Sequence, residues 1–373
     1  MEITQKILDF VMKQEEPVII LDLDIIEKNY WRMKNSLDHS VIYYAVKANS
    51  EKRILERLVK IGSSFDIASI GELDLMLSLG ADPSKLSYGN TIKKEKHIKY
   101  AYDKGVRLFV ADEFSEIEKI SRQAPGSKVF ARIQMGDSDS DWPLTRKFGT
   151  NIEKAVDLMI LAKEKDLIPY GISFHVGSQC YDKYAWKTAL LKVADIFYHL
   201  KKEGIELKFI NTGGGMPVQY LREIPEIEDI TAIINETIIE NFEGFDELIV
   251  ATEPGRTLVG DAGLLCANVI LRAEKEKNDW VYLDAGVFHG LMETIQNFRY
   301  EVIVWGKNGE EDNFTLAGPT CDSVDVIYDE VYLPNDVNID DKVFFMNAGS
   351  YTTGYSTTFN GIESPKVYYT DEI

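Results

Sequence analysis

Between residues 41 and 252 the chain alternates two textures, and this alternation restricts its fold more than any single residue does. Short β-branched or aromatic runs fall at 41–46, 63–67, 85–88, 107–111, 128–133, 170–175, 207–211 and 247–252, and longer stretches with helical spacing separate them. In 183–203, for example, Ala185, Leu190, Val193, Phe197 and Leu200 share one helical face, and Gly204 can close the C-terminus. Strands alternating with helices make βαβ units and a parallel sheet. Eight such units in about 220 residues predict a (β/α)8 barrel, whose usual length is ~250 residues. A doubly wound open sheet is the competitor. It would normally carry fewer strands and a glycine-rich turn after the first, where this chain has Lys-Ala-Asn-Ser at 47–50.

The texture changes after residue 258. Runs at 263–272, 280–283, 299–305, 342–346 and 366–369 are strand-like, with Gly, Asn and Asp turn signals between them and almost no helical spacing. This predicts a barrel over 22–258 and an all-β domain over 259–373. The run 17–22 precedes the barrel count, so residues 1–21 are expected to join the β domain, with 17–22 as an extra strand. The segment 134–150 is the one long polar loop, expected to be a lid or a surface excursion.

Charge excludes one class of function. With 41 basic and 61 acidic residues the net charge is −20, a balance that repels phosphate backbones and disfavours nucleic acid as a partner. Three cysteines, Cys180, Cys266 and Cys321, are too sparse and odd a set for a secreted disulfide framework. No apolar stretch approaches the ~20 residues that span a bilayer. A soluble cytoplasmic protein with no membrane partner is expected.

In a barrel of this kind the active site forms where strands end and βα loops begin. Strand one ends at Lys47, after the apolar and aromatic run Tyr44-Ala45-Val46. It is either a lysine leaving the barrel for solvent or a buried one, whose depressed pKa would suit Schiff-base chemistry. Strand six ends in Phe-His-Val-Gly-Ser, 174–178: His175 can be a hydrogen-bonded core residue or a ring-stacking group, and Gly177 and Ser178 suit contact with an anion. Strand seven leads into Gly213, Gly214 and Gly215, which either make a flexible turn or let backbone N–H groups approach a phosphate. Strand eight ends in Glu253-Pro254-Gly255-Arg256, where Arg256 is a charge partner for a phosphate or Glu253 and Arg256 form a local ion pair. Together, a Schiff-base lysine, an imidazole, a phosphate cradle and a carboxylate describe a pyridoxal 5'-phosphate site, with no metal.

Six ordered motifs then make the sequence familiar: YYAVKANS (43–50), FHVGS (174–178), GGG (213–215), EPGR (253–256), CDSVD (321–325), and AGSYT with FNG (348–352 and 359–361). Over essentially its whole length the chain resembles the fold-type III pyridoxal-phosphate decarboxylases, the ornithine/arginine/diaminopimelate decarboxylase family related to alanine racemase. The resemblance implies that Lys47 binds the cofactor covalently, His175 stacks on its ring and Glu253 pairs with the pyridine nitrogen. It places Ser178, Gly213, Gly214, Gly215, Gly255, Arg256 and Tyr351 about the phosphate, and Asp66 and Arg132 near the cofactor. It makes Cys321 the acid that protonates the product carbanion and Asp322 the partner of the substrate's distal amine. It also implies a homodimer whose Cys-Asp loop reaches the neighbouring subunit's site.

A carboxylate against the pyridine nitrogen favours the pyridinium and hence one-way loss of CO2, whereas racemases of this fold place an arginine there. Within the family, TCDSVD and STTFNG look more like ornithine or lysine decarboxylases than diaminopimelate enzymes. Segment 289–300 carries a GL-x-ET pattern in which Glu293 is either a substrate-binding acid or structural. The order of expected substrates is L-ornithine (giving putrescine, a polyamine), then lysine, then arginine. A non-catalytic decarboxylase-like regulatory protein is the rival from another class, and retention of Lys47, Glu253, Arg256 and Cys321 argues against it.

Overall fold

The computed structural model describes residues 1–136, 139–142, 147–276 and 278–373. Eight parallel strands close into a barrel: Ser40–Ala45, Ser64–Ile67, Leu86–Tyr88, Leu108–Ala111, Lys128–Arg132, Ile168–Ser173, Phe209–Asn211 and Ile249–Thr252. Closure is direct, with Val250, Ala251 and Thr252 of the eighth strand paired to Ser40, Val41 and Ile42 of the first. Tyr43, Leu108, Val110, Phe130, Phe209 and Ala251 form a separate buried cluster. They come from five barrel strands, and in a closed barrel such residues meet only in its interior. There Phe209 contacts Tyr43, Phe130 and Tyr170, so the interior is a packed plug that leaves the strands' C-terminal ends as the open mouth.

The crossover helices follow the apolar spacing. Ala185–Lys202 buries Ala185, Leu190, Val193, Phe197 and Leu200 on one face, and Gly204 just beyond it takes φ +71°. Truncating a fully buried leucine such as Leu190 to alanine would cost about 2–5 kcal/mol. Among the described residues no helix is long and apolar enough to cross a membrane.

The second region is built on one long strand, Gly263–Ala273. Its first half pairs with Val18–Leu21 and with Lys342–Phe345, and its second half with Asp279–Leu283. Val18–Leu21 also pairs, in parallel, with Lys366–Tyr369. Only 3-10 turns interrupt the strands here among the described residues. Two strands, Glu311–Ala317 and Val326–Pro334, were absent from the sequence reading. They pair with each other through two register shifts, and their exposed acidic positions (Glu311, Asp312, Asp329, Glu330) break the apolar run that marks a buried strand. Within the expected lid, Ser140–Trp142 pairs antiparallel with Ser178–Cys180 in a small ribbon. Residues 137, 138 and 143–146 of that segment lie outside the described residues.

Candidate active site

The barrel mouth holds a cleft of about 340 Å³, lined among others by Lys47, Asp66, Arg132, His175, Ser178, Gly214, Gly215, Glu253, Gly255, Arg256 and Tyr351. Eleven of the expected site residues therefore meet in one place. Each sits at or just past the end of a barrel strand, except Tyr351, which arrives from the β domain and donates its N–H to the carbonyl of Ala48 over 2.8 Å.

Lys47 lies in the 3-10 turn Val46–Ala48 with Nζ 3.5 Å from Asp66 Oδ2. The depressed pKa expected of Lys47 if it were buried is not found: the side chain is 54% exposed at the barrel mouth and faces the Asp66 carboxylate. Burial alone would lower the ammonium's pKa, but the charges of Asp66, Tyr351 and Glu253 outweigh it and hold Lys47 above the ordinary lysine value. Burial lifts the Asp66 carboxyl above its ordinary value, with Glu253 adding and Lys47 opposing. Its Oδ1 is buried without a hydrogen-bond partner. Gly89 gives Asp66 its room, because a Cβ there would lie 1.8 Å from Oδ1.

His175 accepts a hydrogen bond from the Gly177 N–H at Nδ1, 3.0 Å, which puts the ring proton on Nε2. Burial first, then the charges of Arg132 and Lys47, hold its pKa well below the usual histidine value, so the ring is neutral. Glu253 takes a 2.5 Å hydrogen bond from Asn211 Nδ2, and Asn211 Oδ1 accepts the Gly213 N–H. Gly213 and Gly215 adopt φ +66° and +98°, and a Cβ at either would meet a backbone carbonyl within 2.3 Å. Gly213 is not among the lining residues. Its place is to turn the chain so that Gly214 and Gly215 face the cleft.

Three expected site residues stand elsewhere. Arg256 is bound end-on not by Glu253 but by Glu293, with Nη2–Oε1 at 2.5 Å and Nη1–Oε2 at 2.9 Å. Glu293 is buried, with both oxygens engaged, and does not line the cleft, which favours the structural one of its two expected roles. Cys321 and Asp322 are exposed on a β-domain loop and also lie outside this chain's own cleft. That loop is pinned by Asp325, which accepts from the Val287 N–H and from the N–H and hydroxyl of Thr320. Asn211, Gly89 and Asp325 were not foreseen. Asn211 ends an apolar strand run two residues before Gly213, and that position was the one available signal.

Comparison with known proteins decides the chemistry. Residues 23–260 match the family described as pyridoxal-dependent decarboxylase, pyridoxal binding domain. The chain belongs to that family. A lysine/ornithine decarboxylase of Selenomonas ruminantium is 34% identical to this decarboxylase over 360 residues, 95% of this chain and 90% of the relative. An ornithine decarboxylase of Schizosaccharomyces pombe is 30% identical over 365 residues, 94% of this chain and 83% of the relative. The crystal structure of the Selenomonas ruminantium lysine decarboxylase with PLP and cadaverine matches with a TM-score of 0.91 at 32% identity, covering 100% of this chain and 95% of that one. The enzyme is a pyridoxal-phosphate-dependent decarboxylase of basic amino acids, a carboxy-lyase. The cleft's contents fit that cofactor: a lysine amine, an orphaned buried carboxylate oxygen, a neutral imidazole, a cradle that side chains at Gly214 or Gly255 would fill, and a buried guanidinium.

Proposed function

We propose that the enzyme converts L-ornithine to putrescine and CO2, with L-lysine as its second substrate. Asp322 carries this reading. Its Oδ1 already accepts the Val324 N–H at 2.9 Å, leaving Oδ2 of an exposed residue for the substrate. One available oxygen matches a terminal ammonium, whereas a guanidinium is best met by a two-oxygen fork. The relatives named lysine/ornithine and ornithine decarboxylase support these two substrates ahead of arginine.

Bound pyridoxal phosphate supplies an electron sink for the pair left when the bond to the carboxylate breaks. Lys47 holds the cofactor covalently through Nζ, and Asp66 and Arg132 set the charge around that amine. His175, neutral and lining the cleft, would pack against the cofactor ring. Glu253, fixed by Asn211, keeps the pyridine nitrogen protonated. Ser178, the glycine turn, Gly255, Arg256 and Tyr351 hold the phosphate. Cys321 delivers the Sγ proton to the carbon that has lost CO2, and Asp322 binds the distal ammonium. Since neither lines this chain's cleft, a second copy brings them in, and the working unit is a homodimer.

The test is CO2 release from ornithine, lysine, arginine and norvaline. Asp322→Ala should raise the Michaelis constant for ornithine about ten- to a hundredfold, the weight of one charge-assisted hydrogen bond, and leave norvaline unaffected. Arginine turned over as well as ornithine would overturn the substrate order. Equal losses for ornithine and norvaline would reduce Asp322 to a loop cap.

A further inference from the structure

We infer that Glu293 is a positioning residue for the cofactor's phosphate, acting through Arg256. The inference rests on the phosphate role proposed above for Arg256. The arginine opens the short helix Arg256–Val259 directly after the eighth barrel strand and is 5% exposed, yet it borders the cleft. Glu293 comes from the β-domain turn Met292–Gln296, so the pair ties the barrel to the β domain at the edge of the site.

The surroundings leave the guanidinium one orientation. Glu293 takes both terminal nitrogens, and Ser350 Oγ lies 3.3 Å from Nη1. The rings of Phe298 and Tyr351 stand 4.8 and 4.9 Å from Cζ. Nε alone is buried without a partner. A buried arginine donor left unpaired is costly and calls for an acceptor. The carboxylate also cancels the charge of Arg256, so what the arginine offers a phosphate is directed N–H groups more than net attraction. Glu293 fixes the plane in which those groups point.

The experiment equilibrates Glu293→Ala, Glu293→Gln and Arg256→Met enzymes by dialysis against graded pyridoxal phosphate, and separately against pyridoxal, which lacks the phosphate. Cofactor absorbance reads the bound fraction. Glu293→Ala should weaken pyridoxal phosphate binding about tenfold or more, the scale of a lost charge-assisted hydrogen bond. Its affinity for pyridoxal should stay within roughly twofold, as for a change remote from the ring. Glu293→Gln, which keeps one acceptor and the shape, should fall between and serves if the alanine variant does not fold. Equal weakening for both ligands would make Glu293 a general prop, and unchanged pyridoxal phosphate affinity would remove it from the site; either overturns the inference. If Arg256→Met keeps the full preference for the phosphorylated ligand, the assignment of Arg256 itself fails.

Discussion

Lys47 and Asp66 meet at the ends of adjacent barrel strands, Nζ to Oδ2 at 3.5 Å, and the carboxylate decides the lysine's protonation. The amine attacks a carbonyl only when neutral, and the charge of Asp66 favours the ammonium. Removing that charge lowers the lysine's pKa. In Asp66→Asn the rise of cofactor attachment with pH should therefore shift to lower pH, read by borohydride trapping across a pH series. Lys47→Ala should take up no label, and peptide mapping of the wild type should find it on Lys47. A profile that stays put or moves upward, or a label on another lysine, would refute this.

Glu253 is held by Asn211 and lines the cleft. Glu253→Ala should retain cofactor but slow decarboxylation by two to three orders of magnitude, since a preorganised electrostatic contact of this kind is worth roughly 3–4 kcal/mol of barrier. Single-turnover CO2 release measures it. An unchanged rate would make the carboxylate structural.

Cys321 and Asp322 sit outside the cleft that holds Lys47. Mixing inactive Lys47→Ala with inactive Cys321→Ala should then restore about a quarter of wild-type activity, because half the dimers formed at random carry one intact site of two. No recovery, with subunit exchange confirmed by mass spectrometry, would place Cys321 with its own chain's cleft or outside catalysis.

Lys93 and Glu116 form a buried pair at 3.1 Å beneath the cleft-lining segment Gly89–Thr91, and Lys93 also donates to the carbonyls of Asn90 and Val110. Glu116→Gln should cost about 3–5 kcal/mol, the usual result of removing one member of a buried pair. Burial pushes Lys93 down to about 8, against the opposing charge of Glu116. Its folded pKa is below the unfolded value, so the burden of the buried charge is present below that pKa and eases as pH rises from about 8 towards the ordinary lysine range. Without Glu116 the folded pKa of Lys93 falls further, so the melting-temperature deficit of Glu116→Gln should shrink as pH rises towards about 8 and stay level above it. A deficit independent of pH would show that charge is not its cause.

The barrel was legible because strands buried on both faces read as unbroken apolar runs, as in Leu108–Ala111. Lys47, His175, the glycines, Glu253 and Arg256 were legible because each follows such a run. What escaped depends on contacts between residues distant in sequence. Nothing local tells that Arg256 faces Glu293 rather than Glu253, or that Asp66 reverses the sign of the shift at Lys47. The hairpin Glu311–Ala317 with Val326–Pro334 escaped because its acidic, half-exposed strands carry the pattern of loops.

The strand Val18–Leu21 lies between Gly263–Cys266 on one side and Lys366–Tyr369 on the other. During synthesis it leaves the ribosome before any barrel strand, yet one of its neighbours follows the whole barrel and the other comes from the far end of the chain. The barrel strands can pair in order as they appear, each beside its predecessor. This early segment, apolar and fully buried in the finished protein, must wait unpaired until the whole barrel has been made, and its second edge stays open until the last residues arrive. Completion of the β domain is thus a late event set by chain topology, and it is the stage at which folding is most open to aggregation.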